Sequence, residues 1–464
     1  MTPRSTALQL QNGSRIAIIG AGPAGSLFAS FALDLAAAKG LDISIALFDG
    51  KNFADSGPKG CNLCAGVISE TLVDLLHGYG IALPADRVQH RIDGYRLQAK
   101  AGEYLLQHPR GQARITTVFR GNGPRLSSSA SNVSFDDYLL DHVRMRSVEV
   151  ISQLVRRIEL PTVSSGRVRL YFGPEGSVSM VEADLLVGAF GLNTDMMNKI
   201  RQLGFGYRPP PTVRARCMEL ELGERLIQER FSDNILAVTW RSGGGMRLGA
   251  IVPKKDHLTI NVVGRTHVAK EDLREMLELP SVRNKFPGGI TWSGAKCSCA
   301  PRIAVGPARR PFSDRVVIIG DASCTRYYKN GIESAFVTAR LAAEAAFNLG
   351  VSRSALKKGY FQSAKKAIIR DNRYGKMLFR IYSLVDSSAL LSEIMLRVAR
   401  EDQAGRGGGQ MIDVLWSMYT GSVPYRSIAL MFLRPKLQWR LAAMTFRVIV
   451  AWLRGRLSEA VGPK

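Results

Sequence analysis

The chain has 464 residues, 46% of them hydrophobic, with 63 Lys and Arg against 39 acidic residues and a formal net charge of +24. That size and apolar content exclude a disordered chain and suit a large globular core of two or three structural units, while the charge favours anionic partners. Six cysteines are too few for a disulfide scaffold and point to reduced thiols in a cytosolic setting, and the polar start MTPRSTALQLQNGS lacks the apolar run of a secretory signal.

In chain order, the first element is a short β-branched run, Arg15 to Ile19, which reads as a buried parallel strand. It leads into Gly20-Ala21-Gly22-Pro23-Ala24-Gly25, a G-x-G-x-x-G turn, then an apolar helix to about Lys39 and a second strand, Ile43 to Phe48, ending at Asp49. Gly20 makes the tight turn, Gly22 lets the backbone approach a pyrophosphate, and Gly25 lets helix and strand pack closely. The helix N-terminus favours the pyrophosphate charge and Asp49 can accept from ribose hydroxyls, so this unit is expected to bind a dinucleotide.

GPKGCNLCAG, residues 57 to 66, places Cys61 and Cys64 three apart. That spacing suits a metal half-site, a redox dithiol or a pocket turn. Together with Cys297 and Cys299 in KCSCAP, four thiolates would suffice for zinc or an iron–sulfur cluster, although C-x-C is tighter than usual zinc spacing. Further on, strands are expected at 92–100, 104–108, 116–120, 212–222, 235–240 and 257–264. GMRLGAIVPKKDHLTINVVG, residues 245 to 264, reads as strand, turn, strand.

RVVIIGDASCTRYYKNGIESAF, from residue 315, is a strand closing on Gly320-Asp321, then a loop and a helix. Asp321 can bind a flavin ribityl hydroxyl. Asn330 fits an N-cap, with Glu333 three residues on completing a capping box, so that the N–H groups of Gly331 and Ile332 face an anion. No second G-x-G-x-x-G follows the first, so no stable nicotinamide domain is visible; the reductant is NAD(P)H bound transiently or a small carrier such as ferredoxin.

The pairing of GAGPAG with the late GDA-loop-GI-helix resembles the FAD-dependent flavoproteins that include aromatic hydroxylases, halogenases and geranylgeranyl reductases, over roughly residues 15 to 350. The resemblance implies FAD as cofactor and an α/β fold: a Rossmann-like FAD domain (15–90, 111–205 and 300–350) interleaved with a mixed β-sheet substrate domain (91–110 and 206–299). An unstructured 1–14 and a helical 351–464 complete the expected organisation. ADLLVGAFG, residues 183 to 191, is similar to the family's middle motif but carries Phe190 where relatives have Asp. Arg125 followed by FDDYLL resembles the segment whose Arg contacts the flavin. The loop lacks the hydroxylases' GDA-x-H, and the chain lacks the halogenases' W-x-W-x-I-P. Cys64-Ala65-Gly66 lies where the geranylgeranyl reductase branch has a Cys-Gly-Gly turn, which implies a thiol at Cys64 beside the flavin and favours a pocket turn over a metal site. Leu248, Ala250 and Val252 stand where that branch has aromatics on its substrate sheet, implying a different or wider apolar cavity.

The expected activity is therefore reduction of carbon–carbon double bonds in a lipid-like or isoprenoid, anionic substrate. The alternatives are a monooxygenase on a hydrophobic substrate and, in another class, a membrane-docked electron-transfer flavoprotein without its own substrate; an electron-donor protein is a further expected partner. After the Gly-rich break at 404–410, the C-terminal stretch places Lys436, Arg440, Arg447 and Arg454 on one helical stripe, opposite Leu441, Val448, Ile449, Trp452 and Leu453. A basic amphipathic helix with Trp452 on its apolar side reads as lying on an anionic membrane surface, cytoplasmic and peripheral on the inner face. No zinc-finger, helix-turn-helix or aromatic RNA-binding pattern accompanies the charge, so nucleic acid is set aside as a partner.

Overall fold

A computed structural model describes residues 8–111, 113–125, 132–163, 165–286, 295–328 and 330–460, with side chains to residue 451. Strand β1 (Ser14–Ile19) is apolar because both its faces are covered, and it lies in a six-stranded sheet. It pairs in parallel with Leu185–Gly188 on one side and with β2 (Ile43–Phe48) on the other. Val316–Ile318 and Glu149–Ile151 continue the parallel run outward, and Phe312–Ser313 adds an antiparallel edge. Helix α1 (Pro23–Ala38) and the Gly331–Asn348 helix pack against each other on this sheet, through small and aromatic residues such as Ala32, Phe28, Phe336 and Ala339.

The second unit is a seven-stranded sheet in the order Ala295–Cys299, Arg216–Glu221, His257–Gly264, Gly245–Pro253, Asn234–Ser242, Gly94–Ala99 and Gly102–Gln107. All neighbours are antiparallel except the fifth and sixth, which run parallel. This is the α/β arrangement with a mixed sheet that the sequence implies, and the expected strands sit within a few residues of those observed, with Ile115–Thr117 in a separate three-stranded sheet.

From Arg353 onward the described chain is helical. Leu396, Val398, Met411, Leu415, Trp416 and Tyr425 form one core with Tyr95, Leu97, Tyr104 and Leu106 of the seven-stranded sheet. The C-terminal helices are thus built onto the seven-stranded sheet, and Tyr104 Oη donates to the Ala399 carbonyl at 3.2 Å. The break at 404–410 lies between the Ala389–Gln403 and Gln410–Thr420 helices, as its glycines suggest. The N-terminal segment differs from expectation: within the stretch 1–14, read from its polarity as unstructured, Leu10 is buried and the Leu8 carbonyl accepts from Val351 N–H at 2.6 Å. A single apolar residue at the right place anchors it.

The tail helix, Pro435–Ala460, corrects the sequence reading. Leu437, Met444 and Val448 face inward with Leu441 partly covered, so part of the side read as membrane-facing is packed on the protein, while Ile449 on that side is exposed. Arg440 on the supposed free stripe is held by Asp402 (2.5 Å), Glu401 (3.3 Å) and the Gly407 carbonyl (3.0 Å), and Arg447 reaches Glu401 at 3.5 Å. Lys436 is exposed. The side chains of Trp452 and Arg454 lie outside the described residues. No described helix is long and apolar enough to cross a membrane.

Candidate functional site

A cavity of about 700 Å³ opens at the C-terminal end of β1 and runs between the two sheets. Gly20 follows β1 at φ +106, a conformation that favours glycine, and a Cβ there would sit 2.7 Å from the Ala189 carbonyl carbon. Gly22, Pro23 and Ala24 line the cavity, where α1 begins without a side-chain cap. Gly25 stands behind them, because a Cβ there would run into Gly20; its place is helix–strand packing. Ala21 is also behind the wall, and its N–H donates to Asp49 Oδ2 at 2.8 Å. Lys51 N–H donates to the other oxygen at 2.9 Å. Burial raises the Asp49 carboxyl above its ordinary value, with those two N–H donors pulling the other way.

Gly320, Asp321, Gly331 and Ile332 line the same cavity, with Gly320 close against Ala24. Gly320 turns at φ +62, and burial raises the Asp321 carboxyl while the charge of Arg120 opposes the rise. The expected capping box does not form. Asn330 is left-handed at φ +48, so its amide cannot reach over the first turn, and it donates instead to Glu333 Oε2 at 2.8 Å and to the Gly421 carbonyl at 3.2 Å. The first turn is thereby left open to the cavity. Glu333 lines it too, its Oε2 also accepting from Ser69 Oγ at 3.1 Å. Burial raises its carboxyl above the ordinary 4.5, against the pull of Arg326.

Cys64 and Ala65 line the cavity, whereas Gly66 does not; at φ +73 it turns the chain so that its carbonyl accepts Val118 N–H at 2.8 Å. Cys64 Sγ in turn accepts Gly66 N–H at 3.5 Å. Arg125 is exposed and off the cavity wall, its N–H turned to Cys297 Sγ at 3.1 Å. Within this segment the arginine that lines the cavity is Arg120, buried and paired with Asp136 through Nε–Oδ1 at 2.5 Å and Nη2–Oδ2 at 2.9 Å. Asn62 donates to the same carboxylate. Nothing in the sequence distinguishes the two arginines, five residues apart; only the path of the segment does. Phe190 lines the wall beside Gly191, an apolar surface where an acid would accept hydrogen bonds.

On the seven-stranded sheet Ala250 and Val252 line the cavity, joined by Tyr95, Ile235 and Val263. Leu248 does not. Its cross-strand partner Thr239 is bonded to Asp386 at 2.5 Å, so the Asp371–Ser387 helix covers that end of the face. Tyr419 and Thr420 also reach the cavity, a contribution of the C-terminal helices that sequence reading missed. Among the described residues, no three cysteine sulfurs come within 4.8 Å of one another; the one group of three metal-ligating side chains that close is Glu221, Asp256 and His257.

No family model and no curated protein matches the chain. Solved structures do. A geranylgeranyl bacteriochlorophyll reductase-like protein from Thermoplasma acidophilum superposes with a TM-score of 0.61 at 14% identity, over 84% of this chain and 92% of that one. The flavin-dependent halogenase CmlS gives 0.59 at 16%, over 79% and 64%. The p-nitrophenol 4-monooxygenase PnpA from Pseudomonas putida DLL-E4 gives 0.54 at 13%, over 92% and 99%. This is the fold of FAD-dependent oxidoreductases. Such flavoproteins need an anion-binding helix start, a ribose-accepting acid and a second acid-plus-helix turn along one groove. The cavity presents these at α1, Asp49 and the Asp321–Ile332 segment, and the wall at Gly20 and Gly22 is bare of side chains. The residues present therefore fit FAD.

Proposed function

We propose that the protein is an FAD-dependent reductase of carbon–carbon double bonds in a lipid-like, anionic substrate. The observation that carries this reading is the continuity of the cavity from the dinucleotide turn to the apolar face of the substrate sheet at Ile235, Ala250, Val252 and Val263. Small aliphatic side chains there leave room for a long apolar group, and Arg216 and Arg302 on the same wall suit an anionic end. Gly20, Gly22 and Asp49 would hold the adenosine half of FAD, and Asp321, Gly331 and Ile332 the flavin half. When bound, FAD supplies the hydride, with NAD(P)H or a ferredoxin-class carrier as the source of electrons.

The chain's own residues do the rest. The apolar sheet face and the Gln410–Thr420 helix exclude water and fix the alkene, which matters because an isolated alkene is a poor hydride acceptor and needs tight placement. Cys64 adds a small thiol to the wall at the turn and positions the substrate. Glu333 holds the proton: Ser69 and Asn330 both donate to Oε2, which leaves Oε1 to carry it. Anaerobic incubation of the FAD-loaded, chemically reduced protein with unsaturated isoprenoid lipids tests the reading. The product should gain the mass of two hydrogens for each double bond. Gain of one oxygen atom, seen only in air, would replace it with the monooxygenase, and electron transfer to a quinone with no lipid changed would replace it with the electron-transfer flavoprotein.

The same reading places the substrate's source at an anionic bilayer. The outward face of the tail helix exposes Trp439 (73%) and Phe446 (70%), with Ile449 continuing the stripe at helical spacing. Leu430 and Leu433 stand exposed just before it, and Arg434, Lys436 and Arg447 intersperse these with positive charge. Aromatics among cations suit the headgroup boundary, where each basic residue contributes about 1 kcal/mol. The neighbouring Gln410–Thr420 helix lines the substrate cavity, so one helical unit would meet both lipid and active site.

A further inference from the structure

Five of the six cysteines, Cys61, Cys64, Cys217, Cys297 and Cys299, line a second cavity of about 50 Å³. Three segments far apart in the chain deliver them. This small cavity shares Leu63, Cys64, Arg120 and Cys217 with the large one, so the two adjoin.

Within the group one pair stands apart. Cys217 and Cys299 are direct partners across the antiparallel strands Arg216–Glu221 and Ala295–Cys299. Direct partners have Cα atoms about 4.5–5.5 Å apart, within the 4.4–6.8 Å range of disulfides. Cys61, Cys64 and Cys297 instead each accept a backbone N–H, from Leu63, Gly66 and Arg125. We propose that Cys217 and Cys299 form a redox-active thiol pair, a modification site that a peroxide-class oxidant converts reversibly to a cross-strand disulfide.

The two thiols differ in a way that assigns their order. The hydrogen bond from the Cys217 thiol holds Cys299 below the ordinary thiol range and Cys217 well above it. Cys299 is also the more exposed of the two. Cys299 thiolate therefore attacks one oxygen of hydrogen peroxide, the O–O bond breaks, and the departing hydroxide takes up the proton that Cys299 released, leaving a sulfenic acid and water. Cys217 sulfur then displaces the sulfenic hydroxyl; the S–S bond forms and the hydroxide leaves with the Cys217 proton as a second water. Two thiols and one peroxide give one disulfide and two waters, and a dithiol reductant reverses the change. The disulfide would tie the Ala295–Cys299 strand, at the sheet's edge, to its one neighbour beside the small cavity.

The test uses the full chain treated with one equivalent of hydrogen peroxide, then alkylated, weighed and mapped by peptide. The expected product has lost two hydrogens, has two fewer alkylatable thiols, links residue 217 to residue 299, and returns to six thiols with dithiothreitol. Cys299→Ser should abolish the change and Cys297→Ser should leave it. Cys217→Ser should stop at the sulfenic acid on Cys299, which dimedone would trap. Six free thiols after peroxide, or a link mapped to Cys61–Cys64 or to Cys297, would overturn the proposal. Because the wild-type map stands alone, a variant that fails to fold leaves the test decisive.

Discussion

Gly22 is the residue where the cofactor reading is most exposed to experiment. A Cβ there would lie 3.2 Å from Asn62 Nδ2 on the cavity wall, so alanine-sized bulk is tight and a branched side chain intrudes where a pyrophosphate would lie. Wild-type protein should be yellow and release FAD in acid, whereas Gly22→Val should fold and purify colourless. A full complement of flavin in that variant, read from its absorbance, would end the assignment. Glu333 carries a second prediction. Its carboxyl is raised by burial from an ordinary 4.5, so folding takes up a proton there. The stability this contributes is complete below pH 4.5 and is lost as pH rises through the native value. Glu333→Gln should therefore flatten the fall of apo-protein Tm above pH 4.5, and should remove the acidic limb's partner from the pH profile of turnover. Equal pH dependence in variant and wild type would clear Glu333 of both roles. The glycine turn is legible in sequence because its job is local, whereas the sequence reads Glu333 only as part of a capping box that does not form. Arg120 is not legible either: its partner Asp136 and its place on the wall arise from the fold, and from sequence alone Arg125 looks the same.

At the scale of elements, the tail helix shows how periodicity identifies a helix without saying which side is covered. Its spacing made the helix plain, yet the apolar stripe at Leu437, Leu441, Met444 and Val448 packs on the Ala389–Gln403 helix and its core, and a different side presents Trp439 and Phe446. Two acids at Glu401 and Asp402 decide the matter by drawing Arg440 inward. Removing Trp439 and Phe446 together, by alanine, should cut binding to anionic vesicles at least tenfold while leaving FAD content unchanged, measured by co-sedimentation. Arg440→Ala should act differently. It leaves Asp402 buried without its cation, and loss of one partner from such a pair costs about 3–5 kcal/mol, so Tm should fall whether or not lipid is present. Were Arg440→Ala to weaken only vesicle binding, the packing described here for the helix would be wrong.

For the whole molecule, the α/β class and most strands of the two sheets were readable from short apolar runs bounded by turns. The cavity between them was not, since Ala250, Tyr419 and Glu333 come together only through tertiary structure. Because that cavity is a feature of the folded state alone, FAD should stabilise the protein by mass action: at about 100 times its Kd the gain is about 2.7 kcal/mol, seen as a rise in Tm that grows with added cofactor. A Tm indifferent to FAD would mean that the cavity takes something else.

The strand order of the six-stranded sheet also governs how the chain must be made. β1 lies between β2 and Leu185–Gly188, and the sheet gains Val316–Ile318 only when the chain has grown roughly 300 residues past the glycine turn. Ribosomes add about 5–20 residues per second, so the nascent sheet waits roughly 15–60 s with an apolar strand edge unpaired. During that interval the early dinucleotide motif is present but has no second half to close upon it. A ribosome-bound chain stalled before residue 316 should stay protease-sensitive and recruit chaperones, and one stalled well beyond residue 350 should protect β1 from cleavage.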